Sequence, residues 1–346
     1  MIYFNSDYLE GAHPSVMVRL AETNMVQTVG YGEDEYCEAA REKIKAACHA
    51  PEADVHFLVG GTQTNTTVIA AILRPWQGVL SAVSGHINCH EAGAIESTGH
   101  KVITLPTGNG KITAQQVRDY VEWHKNDEST EHIVQPGMVY ISHPTEGGTL
   151  YSKAELTALY DTCREYGLPL FIDGARLGYG LMADGTDLTL PEVAHLCDIF
   201  YIGGTKVGAL FGEAVVIMNE KLKKDFRFMM KQRGGRLAKG RLLGIQFDAL
   251  FTDDLYFKIS RHAIEMAHQI RDIFVSAGYP LLFDSPTNQQ YPIMSDDELA
   301  ILGKDFGYEY WERVDETHSG VRFCASWATK QEHVDALRAA VNALKK

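Results

Sequence analysis

The sequence predicts an α/β fold, in which a mostly parallel sheet flanked by helices is followed by a smaller C-terminal α+β domain. Short apolar segments rich in β-branched and aromatic residues, such as 168–172 and 199–202, alternate with amphipathic helical segments. This alternation is typical of parallel strands joined by crossover helices. At 346 residues the chain is long enough for two domains. We expect them at residues 1–252 and 253–346.

The elements of the first domain are predicted from hydrophobic periodicity and from the glycine turns between apolar segments. In the first long helix, for example, Cys37, Ala40 and Ile44 form one apolar stripe. Helices are predicted at 36–49, 60–73, 85–94, 113–125 and 152–166, and strands at 55–59, 78–81, 101–105, 138–142, 168–172, 199–202 and 214–218.

The second domain is predicted to begin near residues 250–254 and to open with a long helix at 255–277. Later helices are expected to start at capping boxes, in which a Ser or Thr and a Glu three residues later cap the same first turn. Ser295 and Thr329 have this spacing. Residues 320–323 lie between the two boxes and are predicted to form a strand.

Composition restricts the class of protein. The formal net charge is −13, with 45% hydrophobic and 22% charged residues, which argues against a general binder of nucleic acid or anionic membranes. The six cysteines form no CxxC pair, and this favours a reducing compartment over a disulfide framework. Because the sequence has neither a signal-peptide pattern nor a long uncharged apolar run, we expect a cytoplasmic protein.

One acid and one lysine are predicted to meet at the ligand-binding edge of the sheet. Asp173 follows strand 168–172 and Lys206 follows strand 199–202, and open α/β sheets bind ligands at the carboxyl ends of their strands. The pair suits pyridoxal 5'-phosphate, because a lysine can hold its aldehyde as a Schiff base while a carboxylate keeps the pyridine nitrogen protonated. Taken singly, however, such an Asp is more often a helix cap and such a Lys is usually solvated.

A phosphate site is predicted where strand 55–59 meets the following helix. Gly60, Gly61 and Thr62 form a glycine turn at the helix N-terminus. Backbone N–H groups and the helix dipole attract anions there, and the Thr hydroxyl adds a donor. The alternative is a plain tight turn with a Thr cap. The turn matches neither the GxGxxG nor the P-loop pattern.

Two histidines are candidates for roles in this site. His86 is placed to stack on an aromatic ring. Its spacing from His90 would also suit a shared metal ion, but HExxH is absent and no third ligand is evident, so we predict no metal. His143 and Glu146 lie in a loop at the same sheet edge, and either is a candidate for acid–base chemistry. The alternative for His143 is a simple turn residue.

Basic residues supply two further candidates. Residues 221–241 carry nine Lys or Arg against one acid, which is usually a solvated helix face but is also suited to bind a phosphate, including one held by a partner subunit. Arg322 alternates with apolar neighbours in its predicted strand. It therefore faces either a cleft, where it would bind a carboxylate through two N–H groups, or solvent.

Short motifs spread along the chain carry a resemblance to a family. They are Asn5-Ser6-Asp7, Tyr31-Gly32-Glu33-Asp34, Gly61-Thr62-Gln63-Thr64-Asn65, His86 with Glu91-Ala92-Gly93, Ile172-Asp173-Gly174-Ala175-Arg176, Lys206, and Val321-Arg322. Over nearly the full length, their shared order resembles the threonine aldolase and β-eliminating lyase family of fold type I pyridoxal-phosphate enzymes.

The resemblance implies roles for the matched residues. Lys206 would carry the cofactor aldehyde, Asp173 would hold the pyridine nitrogen and His86 would stack on the ring. The implied cofactor-binding residues are Gly61, Thr62, Gln63, His86, Asp173 and Lys206, and the implied substrate-binding residues are Ser6, Arg176 and Arg322. The resemblance also implies an amino acid substrate, and a homodimer or homotetramer with active sites between subunits.

Three departures from the family pattern concern the choice of reaction. The usual Ser before the lysine is Thr205, and the usual Gly-Leu after it is Val207-Gly208. Thr145 aligns with the catalytic-loop histidine of typical members, which leaves His143 two residues early. The usual Gly-Gly-Gly-Met-Arg-Gln run is altered at residues 234–239. The residues matched to cofactor binding keep the family pattern. Because of the three departures, the resemblance implies cleavage of the Cα–Cβ bond less directly than it implies cofactor binding.

The expected reaction is cleavage of the Cα–Cβ bond of a β-hydroxy amino acid such as threonine or allo-threonine, giving glycine and an aldehyde. The substrate amine displaces Lys206, the clamped carboxylate aligns the bond to be broken, and His143 or His86 takes the β-hydroxyl proton. Alignment of Cα–H instead would give β-elimination or transamination of another amino acid. The remaining alternative is a non-catalytic protein of the same fold that binds or regulates through its basic segment.

Overall fold

The computed structural model describes residues 1–345. Its helices are Pro14–Thr23 (α1), Glu35–Ala47 (α2), Gly61–Ile72 (α3), His86–Cys89 (α4), Ala114–Asn126 (α5), Lys153–Tyr166 (α6), Leu177–Met182 (α7), Leu190–His195 (α8), Glu220–Lys223 (α9), Phe226–Gln232 (α10), Arg241–Leu250 (α11), Leu255–Ser276 (α12), Asp296–Leu302 (α13) and Gln331–Leu344 (α14). Its strands are Ile2–Tyr3 (β1), Asp54–Leu58 (β2), Gln77–Ala82 (β3), Val102–Leu105 (β4), Gln135–Ser142 (β5), Leu170–Asp173 (β6), Ile199–Gly203 (β7), Glu213–Ile217 (β8), Gln289–Gln290 (β9), Ile293–Ser295 (β10), Phe306–Gly307 (β11), Glu309–Arg313 (β12) and His318–Cys324 (β13).

A seven-stranded sheet forms the centre of the larger part of the molecule, with strand order β2-β8-β7-β6-β5-β3-β4. The pairings from β7 to β4 are parallel, whereas β8 is antiparallel to both β2 and β7. The connection from β7 to β8, residues 204–212, is too short for the crossover helix that parallel neighbours need. The sheet is therefore mostly parallel, as predicted, with one strand reversed.

Both faces of this sheet are buried. Along β6, Leu170 and Ile172 join one hydrophobic cluster, while Phe171 joins another that includes Val68 and Ile69 of α3. Successive strand residues point to opposite faces, so the alternation places one cluster on each side. Helices on both faces account for the nearly continuous apolar strands of the sequence.

A smaller antiparallel sheet lies in the C-terminal part, with order β10-β13-β12 and β9 also paired to β13. Its core joins Phe323 to residues of α12 and α14. The first residues of the chain pack here as well, because β1 pairs with β11 and Phe4 is buried in this core. The predicted division after residue 252 stays a prediction. Within residues 1–345, no helix is long and apolar enough to cross a membrane.

Two predicted details are wrong. The helix predicted at 85–94 ends at Cys89, because Ala92 and Gly93 adopt φ values of 49° and 72° that a right-handed helix does not contain. The capping box at Ser295 is present, but α14 is capped at Lys330 without a side-chain hydrogen bond. Thr329 instead accepts a hydrogen bond from the Ser326 N–H at 2.8 Å.

The close approach of α11 to α2 at Gly244 provides a test of packing. A Cβ on Gly244 would lie 2.4 Å from Cys37 Sγ and 2.6 Å from Cys37 Cα, so the two helices would have to separate. We expect Gly244→Ala to lower the free energy of unfolding by about 1–3 kcal/mol in urea denaturation. Gly108→Ala is the control, because a Cβ there meets nothing within 4 Å, and it should change stability by less than about 0.5 kcal/mol. Equal effects would contradict this account.

Candidate active site

Asp173 and Lys206 face a common cleft at the carboxyl edge of the central sheet. Asp173 is the last residue of β6, and Lys206 follows the end of β7. The cleft encloses about 290 Å³ and is also lined by Gly61, Thr62 and His86. Five of the residues predicted to bind a cofactor therefore lie around one cavity, at the position where α/β folds bind ligands.

The Asp173 carboxylate is buried and both of its oxygens accept hydrogen bonds. Oδ2 accepts from the Tyr140 hydroxyl at 2.6 Å and from Asn65 Nδ2 at 3.1 Å. Oδ1 accepts from the Tyr201 hydroxyl and from the Ala175 N–H, the latter at 3.0 Å. Donors to both oxygens stabilise the charged form in an interior that would otherwise disfavour it.

The same surroundings set the charge of Asp173. Burial alone would raise its pKa, but the charge of His86 and the hydrogen bonds from Tyr140 and Tyr201 outweigh burial and hold the pKa below its ordinary value. Asp173 is therefore an ionised carboxylate at neutral pH. A carboxylate in this state can accept a hydrogen bond from a protonated ring nitrogen.

A chain of hydrogen bonds connects His86 to Asp173. His86 Nδ1 lies 2.8 Å from Glu91 Oε1, and Asn65 Nδ2 donates to the same oxygen at 2.6 Å as well as to Asp173. Burial lowers the pKa of His86, but the Glu91 hydrogen bond and the charges of Glu146 and Asp173 raise it above the ordinary value. His86 is thus favoured in its cationic form. Among residues 1–345, no cluster of three or more His, Cys, Asp and Glu side chains is arranged to hold a metal ion.

The N-terminus of α3 opens into the cleft. Gly60 is the N-cap, and no side chain caps the helix, so the backbone N–H groups of the first turn are left for another acceptor. Gly61 and Thr62 line the cleft at this point. The Gln63 side chain already has hydrogen-bond partners, and the role of Gln63 in cofactor binding stays a prediction. Its Oε1 accepts from the Val59 N–H and its Nε2 donates to the Arg233 carbonyl, each at 3.1 Å, which turns the side chain away from the cleft.

Lys206 has a buried acid as a neighbour that sequence reasoning missed. Burial and the charge of Arg176 lower the pKa of Lys206, which favours the neutral amine needed for nucleophilic attack. Glu213 lines the same cleft, and burial raises the pKa of its carboxyl. Its oxygens accept from Thr205 Oγ1 at 3.0 Å and from the Gly204 N–H at 3.2 Å.

Arg176 lines the cleft but already holds a carboxylate. Its Nε donates to Asp7 Oδ2 at 2.7 Å and its Nη2 donates to Asp7 Oδ1 at 3.0 Å. Asn288 Nδ2 also donates to Asp7 Oδ2, at 2.8 Å. Burial would raise the pKa of Asp7, but Arg176 outweighs it and lowers the pKa to about 2. Arg176 is predicted to bind the substrate, but Asp7 already occupies its Nε and Nη2 groups.

Ser6 and Arg322 are not among the residues that line the cleft. Both are buried, and the Ser6 hydroxyl has no hydrogen-bond partner within the described part of the chain. Arg322 donates through Nη1 to Gln289 Oε1 at 2.9 Å, and through Nη2 to Glu309. The roles predicted for these two residues in substrate binding stay predictions.

His143 is not among the residues that line the cleft, and its role as a base stays a prediction. The side chain is 1% exposed, and its Nδ1 accepts from the Tyr151 N–H at 3.4 Å. Burial lowers its pKa to about 4. Glu146 of the same loop does line the cleft and accepts a hydrogen bond from Ser142 Oγ at 3.0 Å.

Tyr140 and Tyr201 were missed, although strand alternation contains the signal that would have found them. The register pairs Tyr140 with Phe171 and Ser142 with Asp173, so Tyr140 and Asp173 lie on the same face of adjacent strands. A tyrosine in a buried strand needs a partner for its hydroxyl, and Asp173 is the acceptor within reach.

The buried pair of Asp7 and Arg176 predicts a specific dependence of stability on pH. Because the pKa of Asp7 is depressed in the folded state, its contribution is fully present above the unfolded-state pKa near 4 and is lost as the pH falls towards 2. Between pH 6 and pH 3, the wild type should lose about 1 kcal/mol more unfolding free energy than Asp7→Asn. At pH 6, this variant should be less stable by about 3–5 kcal/mol, because Arg176 is left buried without a counter-charge.

The matched control is Asp184→Asn, which removes an exposed ion pair with Arg261 at 3.2 Å. Exposed pairs contribute about 0–1 kcal/mol, so this variant should stay close to the wild type in urea denaturation at both pH values. If Asp7→Asn behaved in the same way, the buried pair would not carry the stability assigned to it.

Comparison with known proteins gives the family. The β-eliminating lyase family model matches residues 4–338. The structure of the Leishmania major threonine aldolase is 42% identical, covers 100% of both chains and superposes with a TM-score of 0.97. The low specificity L-threonine aldolase of Pseudomonas aeruginosa is 29% identical over 96% of this chain and 95% of its own. At 13% identity and a TM-score of 0.75, the histidinol-phosphate aminotransferase of Clostridium acetobutylicum shares the fold. The chain belongs to the threonine aldolase and β-eliminating lyase family.

Proposed function

We propose that this protein is a pyridoxal-phosphate-dependent lyase that cleaves the Cα–Cβ bond of a β-hydroxy amino acid of the threonine or allo-threonine type, giving glycine and an aldehyde. The threonine aldolases among its relatives support this reaction. The single observation that carries the proposal is the convergence of the ionised Asp173 carboxylate and the buried Lys206 amine on one cleft.

The donor set of the cleft fits pyridoxal 5'-phosphate. Gly61 and Thr62 would receive the phosphate at the open N-terminus of α3, and His86 would lie against the ring. Asp173 would accept a hydrogen bond from the ring nitrogen, and Lys206 is the amine that would hold the aldehyde. When bound, the cofactor supplies an electron sink for the bond that breaks at Cα.

The chain itself keeps the charges of the site in place. Tyr140 and Tyr201 donate to opposite oxygens of Asp173, so the carboxylate keeps its orientation and its negative charge. Asn65 bridges Asp173 and Glu91, and Glu91 holds His86 by Nδ1. Because these groups are fixed before any ligand arrives, little reorganisation is needed when charge develops in the cleft.

We propose Glu146 as the group that takes the β-hydroxyl proton. Glu146, in the loop after β5, and His86, in α4, are ionisable side chains that line the cleft. The hydrogen bond to Glu91 favours the protonated form of His86, which makes His86 a poor proton acceptor. The Glu146 carboxylate accepts one hydrogen bond, from Ser142, and is therefore the better placed base.

An assembly with active sites between subunits is part of this proposal. Large hydrophobic side chains of the N-terminal region and of α10 are exposed, which favours a contact with a second copy of the chain. They include Met17, Val18, Met25, Val29 and Phe228, exposed by 48%, 56%, 88%, 67% and 77%. In the basic segment 221–241, Arg227 and Arg236 both pair with Glu33. A cytoplasmic location stays a prediction.

A product screen with the purified, cofactor-loaded protein tests the proposed reaction. Threonine and allo-threonine should each be cleaved, and each cleavage should release one acetaldehyde for every glycine. Pyruvate or another 2-oxo acid released with ammonia would instead indicate β-elimination, which the family also includes, and amine transfer to an oxo acid would indicate transamination. Lys206→Ala should abolish both turnover and the borohydride-trapped cofactor adduct, whereas Lys304→Ala, at an exposed position, should retain both.

Substitution in the loop after β5 tests the identity of the base. Glu146→Gln should lower kcat for threonine cleavage by about 10²–10⁴-fold, the range that general bases contribute, with cofactor absorbance unchanged. His143→Asn, outside the cleft, should keep kcat within about threefold, since it removes no group that reaches the substrate. The reverse pattern would return the role of base to His143.

A further inference from the structure

Arg176 and Arg322 present the same kind of hydrogen-bonding edge, formed by Nε and Nη2, but the two edges are filled differently. On Arg176, the two oxygens of Asp7 accept from Nε and Nη2 at 2.7 and 3.0 Å. On Arg322, Glu309 Oε2 accepts from Nη2. The Nε of Arg322 is buried without a hydrogen-bond partner among the described residues. Because this edge suits both oxygens of one carboxylate, that of Arg322 is half filled.

The remainder of the Arg322 guanidinium is held in place. Nη1 donates to Gln289 Oε1 at 2.9 Å, and Gln289 itself is fully buried. The centroid of the Trp311 ring lies 5.5 Å from the guanidinium carbon of Arg322. Nη2 also lies 3.4 Å from the Asn5 carbonyl oxygen. The orientation of Arg322 therefore depends little on Glu309, and loss of Glu309 would leave the half-filled edge open.

Glu309 is the acidic partner that can leave. Its side chain is 47% exposed, whereas the side chain of Asp7 is 0% exposed. It lies on β12, at the edge of the smaller sheet. A half-exposed carboxylate regains its hydration when it turns into solvent, so its pair with Arg322 is far easier to break than the pair of Asp7 with Arg176.

The N-terminal segment connects this edge to the cleft. Asn5 contacts Arg322 through its carbonyl, and Asp7, two residues later, holds Arg176 at the cleft surface. The Ser6 hydroxyl between them is buried without a partner among residues 1–345. A carboxylate that reached the Nε–Nη2 edge of Arg322 would thus meet an unused N–H group, that of Nε.

We propose that Glu309 is an intramolecular placeholder on the Nε–Nη2 edge of Arg322, and that the carboxylate of the amino acid substrate displaces it. The inference rests on the proposed function, from which it takes a substrate that carries an α-carboxylate. Glu309 then sets the affinity for that substrate, because every binding event must first release an internal carboxylate. Turnover after binding does not depend on Glu309.

The test is Glu309→Gln in the cofactor-loaded enzyme, with Glu309→Ala as a second variant. The Kd of glycine, measured by calorimetry, and the KM of threonine should both fall by about two- to fivefold, the factor that an exposed ion pair represents, while kcat stays unchanged. Glu312→Gln is the matched control, because Glu312 has the same charge on the same exposed strand but lies outside the contact with Arg322. Its constants should equal those of the wild type.

Two results would overturn the proposal. If the Kd of glycine in both Glu309 variants equals that of the wild type, Glu309 does not compete for the edge. If Kd and KM rise, Glu309 positions Arg322 for binding instead of blocking it. A wild-type protein that releases no aldehyde would overturn the proposed reaction alone, because the glycine affinities of the variants would still report on Glu309.

Discussion

The buried carboxylate of Asp173 is the constraint on which the site depends. A charge at the end of a strand in the interior is costly unless hydrogen bonds replace the lost hydration. Tyr140, Tyr201 and Asn65 supply those hydrogen bonds, and each comes from a different element of the fold. Since Asn65 also donates to Glu91, and Glu91 holds His86, the hydrogen bonds around Asp173 extend to a histidine that lines the same cleft.

Environment separates the ionisable groups of the cleft into two kinds. Asp7 and Asp173 have lowered pKa values because donors or an arginine compensate their burial, whereas burial raises the pKa of the Glu213 carboxyl. Burial also lowers the pKa of Lys206. One cleft thus contains fixed negative charges together with a carboxyl whose pKa is raised to about 8 and an amine whose pKa is lowered, and such a division is typical of sites that transfer protons.

Much of the fold was predictable because its signals are local. Strands such as β6 and β7 are apolar on both faces, and the helices between them have single apolar stripes, so their order and their common edge followed from periodicity. The convergence of Asp173 and Lys206 was predictable because each follows a parallel strand, and the carboxyl ends of parallel strands meet at one edge of the sheet. Long-range pairing has no such signal: Asp7 and Arg176 lie 169 positions apart in sequence, and nothing local indicates that one neutralises the other. The orientation of the Gln63 side chain depends likewise on a distant backbone group, the Arg233 carbonyl.

The pairing of β1 with β11 bears on how the polypeptide folds. Ile2 is in register with Phe306, and the Cys324 N–H donates to the Phe4 carbonyl at 2.6 Å. Two segments that lie far apart in the sequence must therefore meet before this contact forms, and such non-local contacts form slowly. Asp7 lies shortly after this segment, so the position of the counter-ion of Arg176 depends on the same contact. The charge balance of the cleft is thus coupled to a contact between distant parts of the sequence.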